Sequence, residues 1–166
     1  MSRRVRVVLA VTAVAVVLTG VGVAVAEHKG TTQSPSLATT QWAQANSDQF
    51  AQGVTTLLRD ARSVHLSIAA RDAAGTVRTN CLYLFTDSEG ENTDLLPTPD
   101  GQLTDLLSSS YQGFVQASAR CDEHTASQAV LRAVDLEVAR SVSELIEGVL
   151  REEAVTGKSL GIKGVP

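Results

Sequence analysis

The chain lacks the motifs that would assign it an activity. No G-x-S-x-G occurs, so the serine-hydrolase elbow is missing. No C-x-x-C occurs, which removes a thioredoxin-like redox site and c-type haem attachment. There is no H-E-x-x-H zinc helix. Thr156-Gly157-Lys158-Ser159 reproduces the end of a P-loop, but that pattern asks for glycine where Glu152 stands. Trp42 is not followed by x-Gly, so the small helical secretion substrates built on a Trp-x-Gly turn are not matched. The three histidines, His28, His65 and His124, have no metal-ligand spacing and read as surface residues.

Positive charge is scarce outside the first few residues. Beyond Ala26 there are eleven basic and eighteen acidic residues, a net charge of −7 with no basic run. Such a chain is a poor nucleic-acid binder and is not drawn to anionic lipid. Cysteine is limited to Cys81 and Cys121. In an exported protein a lone pair is most simply one disulfide. Closing a loop of that length contributes roughly 3–4 kcal/mol. The alternative is a metal site on Cys121 and His124, which needs two further ligands. No cofactor is expected.

What the chain has is an N-terminal export pattern. Arg3, Arg4 and Arg6 precede an uncharged stretch from Val7 to Ala26. Its apolar part ends in Ala24-Val25-Ala26, the small-x-small tripeptide that signal peptidase reads, so cleavage before Glu27 fits. An uncleaved anchor fits as well, because twenty helical residues span about 30 Å. No cysteine lies near the end of the segment, so a lipoprotein anchor has no support. Ser2-Arg3-Arg4 hints at a twin-arginine signal, but Arg6 stands where such signals carry an apolar residue. Both the signal and the anchor readings place the remainder outside the cytoplasm, as a secreted or single-pass membrane protein.

Residues 27–40 are polar and rich in Ser and Thr, a linker pattern. From Gln41 the apolar residues Trp42, Phe50, Val54, Leu57, Ala61 and Val64 form a helical stripe, with Asp60 outside it. Val64, Leu66 and Ile68 then alternate with His65 and Ser67. Residues 76–85, TVRTNCLYLF, are rich in β-branched and aromatic side chains. With Asp72–Gly75 as the turn, this predicts a hairpin of 64–71 and 76–86. Asp87, Glu89, Glu91 and Asp94 follow in an acidic loop that fails the EF-hand template and reads as solvated.

Thr98-Pro99-Asp100 starts a helix capped by Thr98, with Leu103, Leu107, Tyr111, Phe114, Ala117 and Cys121 on one face. Thr125-Ala-Ser-Gln128 is a capping box that opens a long helix from Ala126 to about Ala154, with Leu131, Val134, Val138, Val142, Leu145 and Val149 as its apolar stripe, and Gly157 ends it. The run LLPTPDGQLTDLLSSSYQGFVQASARC resembles exported proteins of high-GC Gram-positive bacteria, a likeness that implies no activity.

The expectation is one α+β domain over residues 41–156: helix, β-hairpin, helix and long helix, with a Cys81–Cys121 disulfide and a flexible tail from 157 to 166. The alternative is an all-helical bundle in which 41–70 is a single helix. The expected function is a non-enzymatic, extracytoplasmic domain that binds another protein or a cell-wall partner, held to a membrane by residues 7–26 if these are uncleaved. A small secreted enzyme or enzyme inhibitor, acting through the 87–94 loop and His124, is the other reading.

Overall fold

A computed structural model describes residues 37–121 and 127–162. The export segment, His28, His124 and Thr125 lie outside the described residues. Four helices make up 86% of what is described: α1 (Leu37–Ala69), α2 (Ala74–Asp94), α3 (Gly101–Cys121) and α4 (Gln128–Thr156). There is no strand among the described residues, so the α+β expectation is wrong and the fold is all-α. Each helix packs on two others, α1 on α2, α2 on α3, α3 on α4 and α4 back on α1. Phe50, Leu57, Leu84, Leu103, Leu107, Phe114 and Leu145 fill the centre with no exposed surface. Burial of each such side chain contributes roughly 1.5–3 kcal/mol.

The expected hairpin fails at identifiable residues. Val64 and Ile68 are buried four apart, whereas Leu66 between them is 52% exposed. The apparent two-residue alternation was therefore one helical stripe with an exposed leucine beside it. In the second half, Val77, Cys81, Leu84 and Ser88 face inward at helical spacing, and Leu82 and Tyr83 face solvent. Composition suggested a strand there, but packing decides such short apolar runs.

The turn also sits elsewhere. Arg71 adopts φ 55, the Arg71 amide donates to the Ile68 carbonyl, and the Asp72 amide donates to the Ser67 carbonyl. This is a Schellman closure with arginine in the place glycine usually takes. Gly75, expected in the turn, lies in the first turn of α2.

Other boundaries move less. α1 begins at Leu37, so 37–40 belong to the helix rather than to the linker. Asp60, placed outside the stripe, is 5% exposed. Asp100, not Thr98, caps α3: its Oδ1 accepts from the Leu103 amide at 2.7 Å. Thr98 instead hydrogen bonds Thr104. Ser127 caps α4 by accepting from the Val130 amide. Gly157, at φ 69, ends that helix as expected. Of the expected tail, residues 158–162 pack against the bundle, since Ile162 joins the core and the Leu160 amide donates to Glu153; residues 163–166 lie outside the described residues.

Small residues set the closest helix approaches. A methyl group on Gly113 of α3 would collide with the Ser141 hydroxyl of α4. One on Gly148 would lie 2.8 Å from the Leu107 side chain. Ser110, on the same α3 face, donates to the Ser141 carbonyl at 2.8 Å.

Candidate functional site

Cys81 of α2 and Cys121, the last residue of α3, form a disulfide with their Cα atoms 6.1 Å apart. Both are buried, at 1% and 4% exposure. Cys121 is thus committed to the bridge and has no thiolate to offer a metal. Among the described residues, no cluster of three or more His, Cys, Asp or Glu side chains is arranged to hold a metal ion.

The acidic segment is the last two turns of α2 rather than a loop. Helical geometry therefore spreads its carboxyls over different faces. Glu89 and Asp94 are exposed. Asp87 and Glu91, four residues apart, turn toward α1 and line an open polar cleft of about 320 Å³ with Gln49, Gln52 and Thr56. The Glu91 carboxyl packs on the backbone of Gly53, where any side chain would displace it. Its Oε2 is buried with no hydrogen-bond partner. Burial, and then the charges of Asp94 and Asp87, push Glu91 up to about 6. Asp87 is pushed up by burial and by the neighbouring Asp60 carboxyl. Asp60 accepts from the Arg59 guanidinium at 2.8 Å, and its Oδ2 is left without a partner.

A second buried carboxyl lies between α1 and α4. Glu152 is 1% exposed, accepts from the Ser47 hydroxyl at 3.3 Å, and has an unpartnered Oε2. Burial is the main cause that raises it above the usual carboxylate range. The opposite arrangement occurs between α3 and α4. There Arg151 donates through Nε and Nη2 to the two oxygens of Asp100, at 3.2 and 2.7 Å. That pairing, with the Leu103 amide, holds Asp100 below its usual value.

A further surface feature is an apolar groove of about 300 Å³ between α1 and α4. Leu58, Ala61, Val138, Ala139 and Val142 form its walls. Arg62 and the hydrogen-bonded pair His65–Asp135, 2.8 Å apart, supply its polar groups. His65 is exposed, as its sequence position suggested, but its carboxylate partner is seventy residues away. No local pattern signals such a pair. The same holds for the Glu91–Gly53 and Glu152–Ser47 contacts, which join helices that are distant in sequence.

The chain matches no protein-family model, and no curated protein or solved structure is significantly similar to it. No described helix is long and apolar enough to cross a membrane.

Proposed function

We propose that this protein is an extracytoplasmic helical-bundle domain that acts by binding another protein and catalyses no reaction. The observation that carries the reading is the α1–α4 groove, an open cleft with aliphatic walls and a few polar groups beside them. Its aliphatic walls suit an apolar side chain or a helix face of a partner. A wall glycan is a poorer fit, because the groove has no aromatic platform and only three polar side chains. The basic-then-apolar N-terminus and the buried disulfide support a location outside the cytoplasm.

A small enzyme is the second reading, favoured only by Glu91, whose raised value beside a cleft is a trait of catalytic acids. Its carboxyl is seated on the Gly53 backbone, however, a structural position.

Site-specific photocrosslinking in the native host tests the proposal. A photoreactive residue at Ala139 should give one discrete protein adduct, lost with Leu58→Glu, while a probe at exposed Glu89 gives none. No adduct at Ala139, or the same adducts at both positions, would sink the groove as the binding surface.

A further inference from the structure

α1 is held differently from its neighbours. α2 is bonded covalently to α3 through Cys81–Cys121, and α3 is held to α4 by Asp100–Arg151. α1 has no covalent link to either neighbour, and both of its interfaces contain carboxyl groups with an unpartnered oxygen. Toward α2 these are Asp60, 5% exposed, and Glu91, packed on Gly53. Toward α4 it is Glu152, 1% exposed.

The charged surroundings do not balance these groups. Asp87 and Asp94 share the α2 seam with Glu91, and Arg59 is engaged with Asp60 at the exposed edge. The buried Tyr111 hydroxyl faces Glu91 from α3 and has no partner. Glu153 and Lys158 lie near Glu152. Arg62, His65 and Asp135 occupy the α1–α4 groove.

We propose that α1 is a proton-locked helix: it sits firmly on α2 and α4 while Asp87, Glu91 and Glu152 carry protons, and it loosens from these two helices when they lose them. A protonated Asp87 can donate to the idle Oδ2 of Asp60, whereas two carboxylates only repel. A protonated Glu91 or Glu152 is a neutral group at a partly desolvated seam. The ionised form carries its charge there with one oxygen unpartnered and other carboxylates close by, which disfavours it. Glu91 loses its proton near 6, and Asp87 and Glu152 are shifted in the same direction. Through Glu91 the response therefore falls around pH 6, and Asp87 and Glu152 act with it. It stands independently of the groove reading, although α1 carries Leu58 and Ala61 of that groove.

Hydrogen exchange on the full chain, normalised for intrinsic rates, tests this from pH 5 to pH 8. Protection of α1 amides should fall about tenfold or more, the change in local opening expected when Glu91 loses its proton near 6 rather than at the ordinary glutamate value of about 4.3. Protection of α3 and α4 should hold. The variant D87N/E91Q/E152Q mimics the protonated state and should keep α1 protected at pH 8. His65→Gln should leave the pH response in place; its loss there would assign the response to the His65–Asp135 pair and overturn the proposal. A pH-independent α1, or an unchanged slope in the triple variant, would also overturn it. Should the triple variant fail to fold, carbon NMR of wild-type Glu91 decides, and a side-chain titration at the ordinary glutamate value of about 4.3 refutes the lock.

Discussion

The α3–α4 seam and the two seams of α1 treat their carboxyl groups differently. Between α3 and α4 the glycines at 113 and 148 allow close contact, and carboxyls at the edge have partners: Asp100 meets Arg151 and a helix N-terminus, and Glu144 accepts from Ser109 and Arg140. Around α1 the buried carboxyls meet other carboxyls, a glycine backbone or a single hydroxyl. A paired carboxylate contributes more as pH rises and an unpaired buried one contributes less, so the two sides of one small bundle respond to acid in opposite directions.

The strongest test removes a buried ring from each side. Phe114→Ala in α3 and Phe50→Ala in α1 each delete a phenyl group with no exposed surface, at a cost of about 3–5 kcal/mol. Phe114→Ala should lower protection throughout the bundle. Phe50→Ala should expose α1 amides first, and simultaneous loss in α1, α3 and α4 would erase the distinction between the two regions.

Removing the disulfide is next in size. Cys81→Ser with Cys121→Ser should cost roughly 3–4 kcal/mol in urea unfolding. If α1 is the separable element, its local opening should change much less than that of α2, which is released from α3.

The smallest expected effects sharpen the comparison most. Ionised Asp100 stabilises the fold above the ordinary aspartate range, and this contribution fades as pH falls through its lowered value. Asp100→Asn keeps a capping side chain but removes the charge paired with Arg151, so it should destabilise at pH 7 by about 0.2–1 kcal/mol and progressively less in strong acid. Glu91 behaves in reverse. Its contribution is complete below the ordinary glutamate value and is lost as pH rises through about 6. Glu91→Gln should match wild type at pH 4 and exceed it at pH 8 by about 1 kcal/mol, allowing for screening at its exposed edge. Denaturant midpoints at the two pH values measure both, and parallel shifts in the two variants would contradict the opposite signs.

Much of the helical half of the bundle was legible in the residues. The stripe from Leu103 to Cys121 and the stripe from Val134 to Val149 reappear as buried faces of α3 and α4. Gly157 ended α4 because only a glycine-like φ suits that closure. The region 64–86 was misread because Leu66 and the run Leu82-Tyr83 place large apolar side chains in solvent, which filled in a false strand pattern. The turn was misplaced for a related reason: Arg71 takes a left-handed conformation that sequence reading assigns to Gly75.

Local residues determined, by themselves, the helical stripes of α3 and α4, the scarcity of basic charge beyond Ala26 and the presence of one candidate cysteine pair, because these depend on spacing and composition alone. The tertiary structure decided which carboxyls are buried and what faces them. Asp60 and Asp87, Glu91 and Gly53, Glu152 and Ser47, and His65 and Asp135 come from different helices, beyond the reach of any local spacing. The balance between desolvation and pairing at such groups exists only once the helices are packed.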